Sequence, residues 1–196
     1  MSAFLYVMII LFGTASYVVG VRQMLLGKYR PSVFSRVIWL LLAINSFAGV
    51  VLSHSSRASI VLASILLLGN GAICLTSFWK GSHEFGKLEI MCLILLAISV
   101  VIWLSVDAPL VNLAISLLAH FIGAAPTYRK VWRDPSSEST PFWALFFVAS
   151  LSSVLASDLR DPVAIILPIY FAFFDGGMTL MSARKPAKPS KVLNYK

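Results

Sequence analysis

The chain has 196 residues, of which 59% are hydrophobic and 12% charged, and its mean hydropathy is +0.87. Soluble domains carry about 25% charged residues, so this composition excludes an ordinary water-soluble fold and points to lipid as the solvent. The net charge of +8 is scattered over short loops and a C-terminal segment; this excludes a nucleic-acid-binding domain and leaves membrane topology and attraction to anionic headgroups as its meaning.

The apolar runs predict an all-α integral membrane protein with seven spans, over residues 3–22, 34–53, 58–79, 88–106, 108–128, 140–157 and 162–182. Each is close to the roughly 20 residues that cross about 30 Å of hydrocarbon as a helix. The first run, "SAFLYVMIILFGTASYVVG", lacks the basic start of a signal peptide and reads as a retained span. The third fades in gradually through "SSRASIVLAS", and the fourth and fifth are separated only by "DAP", which requires a tight hairpin.

Charge between the runs sets the orientation. Of the sixteen Lys and Arg, only Arg57 and Arg160 fall on one side. The other side takes Arg22, Lys28, Arg30 and Arg36 after the first span, Lys80 and Lys87 after the third, and Arg129, Lys130 and Arg133 after the fifth. The segment 184–196, "RKPAKPSKVLNYK", carries the remaining five and reads as a basic, proline-broken, disordered tail near headgroups. The positive-inside rule then puts the N-terminus outside and the C-terminus in the cytoplasm, which requires an odd number of spans. The protein is expected in the cell membrane, in contact with the bilayer and compatible with a homo-oligomer.

The chain also repeats itself. "GKYRPSVFSRVIWLL" and "YRKVWRDPSSESTPFWAL" each cross a basic loop containing Pro-Ser into a span marked by Trp39 or Trp143, and Ser46 then falls on Ser150. In the third and seventh spans "NGAICLTS" sets against "DGGMTLMS", so that Asn70 falls on Asp175, Gly71 on Gly176, Cys74 on Thr179 and Ser77 on Ser182. The organisation is therefore a three-helix repeat over 1–80, a linker helix over 81–106, a second three-helix repeat over 107–183 and the tail. A single linker helix gives both triplets the same orientation, a parallel repeat about an axis along the membrane normal.

This three-one-three arrangement resembles the PQ-loop superfamily, which includes the SWEET sugar transporters and the half-sized bacterial semiSWEETs. "GAAPTYRKVWRDPSSESTPFWAL" and "GKYRPSVFSRVIWLL" carry the resemblance, with the family's Pro-Gln standing here as Pro126-Thr127. The resemblance implies transport. In SWEETs an Asn on the third helix of each triplet faces the substrate; Asn70 matches that Asn, and Asp175 stands in its place in the second triplet.

Spacing independently groups the polar residues of the spans. Asn112, Ser116 and His120 fall at i, i+4, i+8; Asp175, Thr179 and Ser182 at i, i+4, i+7; Asn70, Cys74 and Ser77 repeat the latter. Such stripes face a bundle interior, because lipid offers no hydrogen-bond partner. Ser, Cys and Thr commonly serve helix–helix packing there, at about 0.6 kcal/mol per hydrogen bond. Cys74 and Cys92 read as small buried hydrophobes, without disulfide or metal spacing. Asn45 and Asn70 serve either as clamps between helices or as substrate ligands, and His120 as an interior histidine or a substrate contact. Asp175 is the costly group, about 2.5–3.5 kcal/mol for a carboxylate at bilayer depth, with no Lys or Arg in the sequence at its level. Substrate binding is therefore expected at Asn70, Asp175, Asn45 and His120, proton coupling at Asp175 and His120, and hinges at Pro126 and Pro141.

The expected function is transport of a small polar solute, sugar-like, amino acid or amine, by rocking of one triplet against the other. A receptor or adaptor of the same architecture would need the same pocket. No Ser/His/Asp pairing, HExxH or Cys/His spacing points to catalysis, so no catalytic residue, metal or cofactor is expected.

Overall fold

A computed structural model describes residues 2–29, 31, 33–81, 87–106 and 109–184. Among these the chain forms helices α1 (Ser2–Leu25), α2 (Val33–Leu52), α3 (Arg57–Lys80), α4 (Lys87–Val106), α5 (Pro109–Gly123), α6 (Ala125–Arg133), α7 (Thr140–Ala156) and α8 (Pro162–Ser182). A 3-10 turn, Pro135–Ser137, precedes α7, and the described residues contain no strand.

Five described stretches are long and apolar enough to cross a membrane: Ala3–Leu25, Val33–Leu52, Arg57–Lys80, Leu110–Arg133 and Pro162–Ser182. They correspond to the expected first, second, third, fifth and seventh runs. The other two runs form shorter apolar helices, Ile90–Ile102 within α4 and Thr140–Ala156. Length and composition thus mark an integral membrane protein, and Leu68, Leu75, Trp79, Leu104, Phe173 and Leu180 lie exposed on its surface, as a lipid-facing wall requires.

Local chemistry sets the helix ends. Gly27, at φ +69°, turns the chain out of α1 in the left-handed region that glycine occupies without strain. Ser56 caps α3 by accepting from the Ser59 N–H, Ser139 caps α7 through Phe142 N–H, and Asp161 caps α8 through Val163 N–H. Pro141 lies in the first turn of α7, where its missing N–H has no intrahelical partner to lose. Pro126 lies in the first turn of α6, just after the interruption at Ala124 that divides α5 from α6. A proline cannot donate to the carbonyl four residues back, so the helical ladder breaks there.

The interior proline that the sequence reading passed over is Pro168 in α8. Its missing N–H leaves the Ala164 carbonyl without its ladder donor, and the Ser59 hydroxyl of α3 donates to that carbonyl at 2.5 Å.

The helices pack in a recurring pattern. α3 packs on both α1 and α2; α8 packs on α7 and touches α5; α1 packs against α7 and α2 against α5. α4 lies on α5 and, less extensively, on α2. Matching positions make matching bonds. Ser53 donates to the Gly49 carbonyl and Ser157 to that of Ser153, while Ser77 donates to Cys74 O and Ser182 to Thr179 O. At the bundle end carrying the α2–α3 and α7–α8 turns, the two sides are joined by serines. Ser55 donates to Val163 O at 2.9 Å, the Ser56 and Ser157 hydroxyls meet at 2.9 Å, and Ser59 reaches Ala164, 105 residues away.

Two charged positions differ from the sequence expectation. Arg36, counted with the first loop, lies inside α2 and is only 4% exposed. Arg184, assigned to the tail, is ordered: it donates to the Val131 and Trp132 carbonyls and lies 4.2 Å from the Trp132 ring. These carbonyls belong to the last turn of α6, whose unpaired oxygens favour a cation. The rest of the tail and the Asp107-Ala108 part of the hairpin lie outside the described residues.

Candidate functional site

The core of the bundle holds a small cavity of about 20 Å³, lined by Asn70 and Leu66 from α3, Asp175, Phe171 and Phe174 from α8, Arg36 and Trp39 from α2, Phe142, Trp143 and Phe146 from α7, Tyr17 from α1 and His120 from α5. Such a volume holds about one water molecule.

Two pairs that the sequence aligned meet in this wall, Asn70 with Asp175 and Trp39 with Trp143. The tryptophans are the residues that the polar-stripe reasoning passed over; their signal was the Trp recurring in both copies. Both rings are buried, and Phe174 packs edge-on between them, with centroid separations of 6.3 and 5.8 Å.

Asn70 uses both amide hydrogens locally, donating to the Tyr17 hydroxyl at 3.0 Å and the Leu66 carbonyl at 2.9 Å. Tyr17 reaches it because Gly69 has no side chain: a Cβ there would lie 2.1 Å from the ring. Of the glycines flanking the Asn70/Asp175 pair, Gly69 is required by a neighbouring ring, and a Cβ at Gly176 would press on the Phe147 ring at 3.1 Å. Gly71 and Gly177 meet nothing closer than ordinary contact.

Asp175 is 2% exposed, and its carboxylate receives one long hydrogen bond, from the Ser150 hydroxyl at 3.4 Å. His120 stacks on Trp39 at 4.7 Å and shares a 2.8 Å hydrogen bond with the Tyr170 hydroxyl. His120 and Asp175 therefore share the cavity wall while bonding to different partners. Asn45 lies elsewhere. Its amide engages Asn112 at 2.9 Å, and also Ser116, fastening α2 to α5. Asn45 is thus held in the clamp arrangement, outside the cavity lining.

The unforeseen member is Arg36. Its guanidinium lies 4.5 Å from the Trp39 ring centroid and 5.4 Å from that of Tyr29, a cation–π arrangement on a buried face. Among the described residues it makes no hydrogen bond, and the ion pair that forms nearby joins Lys130 to Glu138 at 3.4 Å. Glu138 acts on Arg36 through space, beyond ion-pair distance. The Glu138 side chain is itself buried, which raises its carboxyl above the ordinary range, against the opposing pull of Lys130 and Arg36.

Pro126 and Pro141, expected as hinges, flank the loop at the Arg36 end of the bundle, one at a helix break and one inside a capped first turn. Among the described residues no group of His, Cys, Asp or Glu is arranged to hold a metal ion. No protein-family model, curated protein or solved structure matches the chain.

Proposed function

We propose that the protein is a multi-pass transporter of a small polar solute, working by alternating access at the Asn70/Asp175 cavity. In this reading seven spans form two three-helix units, α1–α3 and α5–α8 with α5 and α6 as one broken span, joined by α4. Their boundaries are 1–80, 81–106 and 107–183, with the N-terminus outside and the C-terminus cytoplasmic. The observation that carries the reading is that corresponding residues of the two halves, Asn70 with Asp175 and Trp39 with Trp143, line one cavity. The contact between Ser59 and Ala164, 105 residues apart, supports an axis relating the halves at the same interface. The likeness to the PQ-loop superfamily points the same way.

A cavity of about 20 Å³ has room for about one water, so on this reading the helices part before a solute enters. The serine contacts close one end. The Arg36, Trp39 and Trp143 layer closes the other, and rocking of one unit on the other opens each in turn. Asp175 then receives either a cationic group of the solute or a proton.

Counterflow in proteoliposomes tests this. Vesicles preloaded with L-alanine, glucose or methylamine are expected to accumulate the labelled form of one of them above protein-free vesicles. Absence of counterflow for every solute that binds would instead favour a receptor or adaptor. If Asp175 carries a proton, Asp175→Asn removes the pH dependence of flux; an unchanged pH profile excludes that role.

A further inference from the structure

We propose that the solute is a zwitterion of the α-amino-acid type, its carboxylate held by Arg36 and its ammonium group by Asp175 and Asn70. The inference rests on the cavity being a solute site, and it adds the chemical class.

Arg36 and Asp175 line the same cavity, each more than nine-tenths buried, and among the described residues neither has an ion-pair partner. Arg36 is held by the Trp39 face and spends none of its five N–H donors on described groups. A guanidinium with its fork free matches a carboxylate in two parallel hydrogen bonds, which an ammonium or a neutral hydroxyl cannot reproduce. Its position in the first turn of α2, which carries no acidic residue, adds the positive end of the helix dipole.

On the other side, the Asp175 carboxylate accepts only the 3.4 Å bond from Ser150. Asn70 has both amide hydrogens engaged, with no described donor reaching its oxygen. These free acceptors suit an ammonium group with three N–H donors. Glu138 acts on Arg36 only from beyond ion-pair distance, so a solute with one charge would leave one of the two buried groups without a direct partner, an expensive arrangement in a low-dielectric interior. A zwitterion compensates both at once. The remaining wall is Leu66, Phe142, Phe146, Phe171 and Phe174, which favours an apolar side chain on the amino acid.

The experiment is a thermal-shift series on the detergent-purified full chain with L-leucine and its two halves. Isoamylamine lacks the carboxylate and 4-methylvalerate lacks the amine; glucose and L-lysine complete the set. L-Leucine is expected to raise the melting midpoint by a few degrees in a concentration-dependent way, with neither half nor glucose doing so. The leucine shift should vanish in Arg36→Gln and persist in weakened form in Arg36→Lys. Trp fluorescence should change with leucine over the same concentration range, because Trp39 underlies Arg36. A shift from either half equal to that from leucine, a shift from glucose alone, or no shift from leucine overturns the proposal. The wild-type series decides this even if Arg36→Gln does not fold. A leucine shift without leucine counterflow would remove transport and keep the zwitterion site. Glucose counterflow without a leucine shift would do the reverse.

Discussion

The hydroxyl of Ser59 donates to the carbonyl of Ala164, the acceptor that Pro168 leaves without its ladder donor. A proline four residues along the helix removes a hydrogen bond, and a serine on the facing helix supplies it. In lipid, where water cannot fill the vacancy, this exchange makes an interior proline tolerable.

The pair predicts a double-mutant cycle. Ser59→Ala leaves a buried carbonyl unpaired and should cost about 1–3 kcal/mol. Restoring the donor with Pro168→Ala in that background should recover most of the loss, because the new N–H reaches Ala164 from within α8. Unfolding of all four species in detergent gives the coupling; additive effects would mean the two residues act independently.

Gly69→Ala is expected to be among the most damaging small substitutions. Its Cβ would fall 2.1 Å from the Tyr17 ring, and such overpacking typically costs about 1–3 kcal/mol. The displaced ring would also release the Asn70 amide. Adding Tyr17→Ala should relieve the clash and raise the melting midpoint above that of Gly69→Ala alone.

The serine contacts can be locked. With the buried thiols of Cys74 and Cys92 removed by Ala substitution, Ser56→Cys with Ser157→Cys puts two thiols where the hydroxyls lie 2.9 Å apart. Oxidation should form a disulfide and, on the proposed transport cycle, stop solute flux, and reduction should restore it. Flux undiminished with the bond formed would mean that this end need not open.

Glu138 gives a pH signature outside the spans. Burial raises its carboxyl above the ordinary range, so the folded state binds its proton more readily than the unfolded chain. Its contribution to stability is complete below the unfolded value and lost as pH rises through the higher folded one. Glu138→Gln removes that slope. Relative to wild type the variant should gain stability as pH rises above the ordinary carboxylate range, measured as the difference in melting midpoint.

Much of the fold is legible in the apolar runs, because a helix in lipid must be about 20 residues long and must satisfy its own backbone. That Asn70 and Asp175 line one cavity accords with the recurrence of flanking glycines and of Trp39/Trp143. Arg36 was not legible. In sequence it stands at the foot of an apolar run beside Lys28 and Arg30, and only the folded contacts of its guanidinium with Trp39 and Tyr29 draw it inward. Asn45 was ambiguous for a different reason. An amide on a helix face can bond a neighbour or a ligand, and the neighbour that engages it here, Asn112, comes from another helix, 67 residues away. Pro168 carried a local signal, a proline amid apolar residues, whose meaning depended on Ser59.

The narrowness of the central cavity bears on electrical tightness. The cavity has space for about one water beside the rings of Trp39, His120, Phe174 and Trp143, too little to hold a file of hydrogen-bonded waters. Such a file would let protons leak down the membrane potential. The cavity itself therefore offers no such wire, and the transport proposed above would have to begin with these aromatic side chains turning aside.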